Sequence, residues 1–343
     1  GATSNRDGRY ERYRTAAVDD GWGGLDAPAE KLRTTVTEDA SRSIIARNSS
    51  PDIDFDRSIN PYRGCEHGCS YCYARPTHAW LGLSPGQDFE SRLFAKPDAA
   101  RRLRAELARP GYACAPIALG TNTDPYQPVE RERRITRGIL EILAEHRHPL
   151  TIVTKSSLVT RDIDILAPMA RQGLARVALS VTTLERRLAN TMEPRASTPE
   201  RRLAAISELA RAGIPTAVMV APVIPALTDD EMESILLAAA KAGATAAGYI
   251  LLRLPGEVHA LFEEWLSAFA PLKAGRVMRL VRDMRGGKAY DGRFGTRQTG
   301  TGAYAEIIAA RFQAAIRRYG LQAEETELDC SLFRVPTKQL SPF

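Results

Sequence analysis

From residue 110 onward the chain alternates two rhythms. Short runs of Ile, Val, Leu and Ala, four to eight residues long, read as buried strands. Between them, apolar positions recur at helical spacing, as at Ile135, Ile139, Ile142 and Leu143. The pattern predicts strands at 55–62, 116–120, 150–154, 175–181, 216–221 and 247–254. It predicts helices at 73–83, 131–146, 163–172, 199–212, 229–241, 257–269 and 304–319. Thr198 as a cap and Pro199 at the first helical position mark the start of one of these. Strand and helix joined by short links imply parallel strands and right-handed crossovers. About six β/α units suit an α/β fold of the partial TIM-like (β/α)6 barrel type. A doubly wound sheet shows the same alternation, but the G-x-G-x-x-G loop usual after its first strand is absent here.

This divides the chain into three parts. Residues 1–50 are polar and rich in Gly, Ser and Thr, and read as a tail or arm, partly disordered or laid over the core. Residues 51–270 form the barrel, and 271–343 a C-terminal extension with a basic, Gly-rich lid and a closing helix. With 44% apolar residues the chain has material for a sizeable core. No apolar run reaches bilayer-crossing length and the N-terminus lacks a signal-peptide core, so a cytoplasmic protein with no membrane partner is expected. The oligomeric state is not legible.

Chemistry concentrates at Cys65, Cys69 and Cys72, a C-x3-C-x2-C run flanked by Gly64 and Gly68. Three thiolates are one short of a closed zinc site or a fully ligated cubane cluster. Such a loop can wrap one face of a four-iron, four-sulfur cluster and leave one iron open. The competing readings are a zinc knuckle with His67 as fourth ligand, or a Cys69/Cys72 redox pair.

The motif, with Tyr71 just before its last cysteine, resembles the signature of the radical S-adenosylmethionine (SAM) superfamily. The resemblance implies a radical SAM-type partial barrel, a [4Fe-4S] cluster, and SAM chelated by the open iron. It further implies one-electron cleavage of SAM to a 5′-deoxyadenosyl radical that abstracts hydrogen, with a reductant such as flavodoxin or ferredoxin as partner. In a barrel the chemistry sits at the C-terminal strand ends. There Lys155 offers a cation for the SAM carboxylate, and Thr123 and Ser180 offer hydroxyls. Tyr71 and Val223 offer walls for adenine. The bland alternatives are helix capping for the hydroxyls and a surface amine for Lys155. The T-D-P-Y-Q-P-x-E run at 123–130, T-K-S at 154–156 and L-S-V at 179–181 look like the spore photoproduct lyase-like branch. In that branch the residues matching Thr123, Lys155 and Ser180 contact SAM. Thr121 stands where the lyase has a radical-quenching cysteine, which speaks against the lyase reaction itself. Tyr126, in the same rigid loop, is a candidate catalytic group.

Eight basic and two acidic residues between Lys273 and Arg297 account for the whole formal net charge of +6. Arg285, Lys288, Tyr290, Arg293 and Arg297 there read as a substrate-binding lid for an anionic substrate, with nucleic acid as a candidate. The alternative is a solvated surface paired with Glu324, Glu325, Glu327 and Asp329. Cys330 is a candidate hydrogen donor if the C-terminus folds back over the mouth. Cys114 precedes the second strand, at the opposite end. Two further functions remain in view: transfer of a SAM-derived group to a small anionic metabolite, and a non-catalytic zinc and nucleic-acid binding module.

Overall fold

The computed structural model describes residues 1–10, 33–323 and 327–336. Its strands are β1 (Thr35–Glu38), β2 (Ile45–Arg47), β3 (Arg57–Ile59), β4 (Tyr62–Arg63), β5 (Arg92–Ala95), β6 (Ile117–Leu119), β7 (Leu150–Thr154), β8 (Ala175–Ser180), β9 (Thr216–Val223) and β10 (Ala246–Leu251). The main sheet has the order β10-β9-β8-β7-β6-β3-β2. The six strands from β3 to β10 in that order run parallel, and β2 joins the edge antiparallel. These are the six expected units of an open barrel. Their apolar runs are short because both faces of each strand are covered, one by the barrel interior and one by helices. Ile117, Leu119, Ile152, Val177, Leu179 and Val218 are all essentially inaccessible to solvent.

Three elements depart from the expected pattern. The helix expected at 131–146 is two helices, Glu130–Arg133 and Ile135–Glu145, separated by Arg134 with φ 50°. No Gly or Pro marks that break, so nothing in the pattern signals it. The exit from the cysteine loop is a 3-10 helix, Arg75–Leu81, with Pro76 in its first turn. A small accessory sheet, β1-β5-β4, is additional to the expected barrel. It ties residues 35–38 to the flank of the cysteine loop, so the N-terminal arm is structured there. Residues 1–10 lie over the core: Ser4 and Arg6 bond to Glu264, and Arg9 to Glu257.

The barrel is closed across its open side by the chain between 285 and 302. Gln298 O accepts from Leu251 N on β10 at 2.8 Å. On the other side, Arg297 pairs with Asp52, and Gly295 N donates to Asp52 at 2.6 Å, in the connection between β2 and β3. The expected lid is therefore a strap between the two sheet edges. It is followed by the closing helix Ala303–Tyr319. Among the described residues no helix is long and apolar enough to cross a membrane.

Candidate active site

The loop carrying Cys65, Cys69 and Cys72 lies across the C-terminal ends of the strands and is fixed on every side. Gly64 and Gly68 take φ of 75° and 68°. A Cβ at Gly64 would stand 2.7 Å from Phe89 O, and one at Gly68 2.0 Å from Glu90 Oε2, so only glycine fits. The guanidinium of Arg75, fully buried, donates to Gly68 O, Cys69 O, Pro85 O and Gly86 O and to Glu90. Glu90 also receives Arg195, which reaches Glu66 O. Glu66 in turn accepts from Val129 N at 2.6 Å, and Glu66 N donates to Gln127 Oε1 at 2.8 Å. Sequence reasoning assigned no role to Arg75, Glu90, Arg195 or Gln127. Their burial around one loop is a tertiary fact.

The strand-end residues meet this loop at named contacts. Lys155 Nζ lies 5.8 Å from the centroid of the Tyr71 ring, and its ammonium has no carboxylate within 4.0 Å among the described residues. The Tyr71 hydroxyl donates to Glu193, which also binds Arg202 and Thr182 Oγ1. Burial pushes the Glu193 carboxyl up, but Arg202, Lys155 and the hydrogen bonds outweigh it and hold it down at about 2. Asp124 behaves alike: burial raises it, yet His67 and bonds from Lys155 N and Thr154 bring it to about 2. Glu193 was not foreseen. It is a single acid in an E-P-R turn, and its partner Arg202 lies a helical turn into the next element.

The remaining expected contacts divide. Ser180, at the end of β8, is buried, and its hydroxyl bonds to no protein group among the described residues. Thr123 is buried too, but its hydroxyl donates to Tyr62 O at 3.0 Å. Val223, at the end of β9, is fully buried. Tyr126 is inaccessible, its hydroxyl donating to Asp162 at 3.1 Å, so its polar atom is committed away from the mouth.

Two sets of expected residues are corrected. Cys330 is not over the mouth. Phe333 packs on the Tyr112 and His148 rings, and Asp329 N bonds to Gly173 O, all at the N-terminal ends of the strands. There Cys330 neighbours Cys114. In the strap, Arg285 is buried and donates to Thr296 O and Leu252 O, Arg293 pairs with Asp291, and Arg297 with Asp52. These three arginines build the strap rather than face a ligand. Lys288 has no carboxylate within 4.0 Å among the described residues, and the Tyr290 hydroxyl accepts from Arg253 at 3.4 Å. Glu324 and Glu325 lie outside the described residues. Arg253, at the exit of β10, was missed as a site residue. It lies 5.1 Å over the Tyr73 ring, next to Cys72, its Nε is buried without a partner, and no carboxylate lies within 4.0 Å among the described residues.

The donor set fits an iron–sulfur cluster better than zinc. His67 Nδ1 faces Asp124 at 3.4 Å, which commits that ring nitrogen. Among the described residues no three Cys, His, Asp or Glu side chains converge tightly enough to hold a single metal ion. Three thiols that each meet a different iron have no need to converge. Burial pushes all three thiols up, Cys69 to about 12, with Lys155 acting the other way on Cys69 and Cys72. A cluster held by these three cysteines would bind them as thiolates and so release their protons.

The family model for the radical SAM superfamily matches residues 59–239, more than half of the chain. The chain belongs to the radical SAM superfamily. Radical SAM proteins are typically enzymes that pair a [4Fe-4S] cluster with SAM. Similar curated proteins include an uncharacterized protein of Mycobacterium tuberculosis, 40% identical over 232 residues, covering 67% of this chain and 68% of the relative. An uncharacterized protein of Methanocaldococcus jannaschii is 31% identical over 173 residues, covering 50% of this chain and 62% of the relative. Among solved structures, spore photoproduct lyase complexed with dinucleoside spore photoproduct superposes with a TM-score of 0.62 at 17% identity, over 84% of this chain and 80% of that one. At that identity the likeness shows the fold of this radical SAM protein.

Proposed function

We propose that this radical SAM protein holds a [4Fe-4S] cluster on Cys65, Cys69 and Cys72, binds SAM beside it, and abstracts a hydrogen atom from an anionic substrate. When bound, the cluster and SAM supply reductive cleavage of the sulfonium and a carbon radical. The chain's own residues do the rest. Lys155, held over Tyr71, meets the SAM carboxylate. Ser180 offers its free hydroxyl to the ribose, and Tyr71 and Val223 wall the adenine. Thr123 supports this contact through its hydroxyl oxygen while donating to Tyr62 O. Glu193 and Arg202 fix Tyr71 so that the ring, and Lys155 above it, do not wander.

The observation that carries the substrate class is Arg253. A guanidinium with no carboxylate partner among the described residues stands over Tyr73, one residue from a cysteine of the loop, at the exit of the sixth parallel strand. A second cation without a carboxylate partner, reaching the same cysteine loop from another strand, favours a phosphate or carboxylate on the substrate. A nucleic-acid-related substrate is one member of that class, and the lyase with a similar fold holds a dinucleoside. Photoproduct repair is not proposed, because Thr121 stands where the resemblance expects the quenching cysteine. A flavodoxin or ferredoxin is the proposed electron donor. The test is anaerobic reconstitution with SAM and dithionite: 5′-deoxyadenosine should form, and be absent in Cys69→Ala. A reconstituted, iron-loaded protein that makes none contradicts the reading.

A further inference from the structure

A cavity of about 540 Å³ opens over the loops that follow β6, β7 and β8, with His67 of the cysteine loop in its wall. Its lining is strongly one-signed. Arg131, Arg186, Arg195 and Arg201 enter it, against Glu200 as the sole acid. Arg131, Arg186 and Arg201 are exposed, and none has a carboxylate within 4.0 Å among the described residues. Arg195 is fixed from behind by Glu90. The 13-residue helix Pro199–Arg211 begins in the same wall, so its partial positive charge adds to theirs. Neither Lys155, Tyr71 nor Arg253 lines this cavity, so the SAM and substrate roles above do not account for it.

Four guanidinium groups around one concavity repel each other, and low-dielectric walls focus their field outward. Planar forks of donors match tetrahedral oxyanions with two hydrogen bonds each. The volume is that of a small-molecule pocket, whereas a docking protein favours a broad, flatter face. We propose that this cavity binds the phosphate groups of a ligand, held by Arg131, Arg186 and Arg201 with Arg195 as the fixed wall. Two sources carry that chemistry: a free polyphosphate such as a nucleotide tail, or the phosphodiester backbone of a single strand.

The test uses the full chain with its cluster reconstituted and requires no turnover, so it stands apart from the radical chemistry. Inorganic pyrophosphate and a fluorescent ten-residue single-stranded oligodeoxynucleotide are titrated separately at physiological salt. At least one should bind, and the double variant Arg186→Ala, Arg201→Ala should weaken it about tenfold or more, as expected for losing two charge-assisted contacts. The variant Arg317→Ala, Arg318→Ala removes equal charge from exposed positions on the closing helix and should change little. Pyrophosphate binding supports a free-phosphate ligand, and binding of the oligonucleotide alone supports a backbone. Equal weakening by both double variants would overturn the proposal in favour of diffuse charge. Absence of binding to either probe would overturn it too, including the case where an acidic flavodoxin binds instead and is lost in Arg186→Ala, Arg201→Ala.

Discussion

At the scale of single residues, the site rests on cations left without carboxylate partners among the described residues. Many of the described arginines are spent on carboxylates or carbonyls, as Arg75, Arg202 and Arg285 show. Lys155 and Arg253 are not. Lys155→Met keeps the stem over Tyr71 and removes the charge. SAM affinity of the reconstituted protein should fall at least about tenfold, the scale of a lost charged hydrogen bond, with iron content unchanged. Equilibrium binding of SAM checks this, and unchanged affinity would remove Lys155 from the site. The cysteines and Lys155 were legible in sequence because spacing and strand-end position are local properties. Glu193 was not, since its depressed carboxyl depends on Arg202 and Tyr71 arriving from two other elements. Arg253 was visible at a strand exit but indistinguishable there from the neighbouring arginines of the strap.

At the scale of elements, the parallel strands were readable because each is an uninterrupted apolar run. The accessory pairing of β1 with β5 was not, because Thr35–Glu38 is mostly exposed and its strand character comes from its partner. Nor was the docking of 327–336 under the barrel. Its only local cue is the apolar pair Leu332-Phe333, and the natural guess sent Cys330 to the wrong end. That docking has a pH signature. Burial, with Arg57 nearby, lowers His148 to about 4, although its bond to Pro149 O acts against this. Its ring accepts from the Tyr112 hydroxyl at 2.8 Å and packs on Phe333. The unfolded histidine, near 6.5, binds a proton first, so stability falls as pH drops from about 6.5 towards 4. At about 1.4 kcal/mol per pKa unit the swing is of order 3 kcal/mol. Denaturant midpoints across that window should slope less in His148→Gln than in the parent chain. Equal slopes would contradict the assignment.

At the scale of the whole molecule, the open seven-stranded sheet ends in two edges, β10 and β2, and an edge left bare invites pairing with other chains. The strap covers both, through Gln298 on β10 and through Arg297 and Asp52 beside β2. Its basic residues gave the impression of a ligand surface, yet their charge is largely spent on holding the strap. Arg297→Ala removes the counter-charge of Asp52 and leaves it the bond from Gly295 N, a loss of about 1–3 kcal/mol at this closure. Limited proteolysis between 285 and 302 should then accelerate several-fold while cluster content holds. Unchanged cleavage would mean that the closing contacts lie elsewhere.

The proposed chemistry hangs on a loop that supplies three thiols and would leave one iron of the cluster uncovered for SAM. The most direct measurement is the EPR spectrum of the dithionite-reduced, reconstituted protein, recorded under oxygen-free conditions with and without SAM. An uncovered iron predicts a [4Fe-4S]+ signal whose g values shift when SAM is added. A signal indifferent to saturating SAM, or a preparation that takes up zinc and no iron, would contradict it.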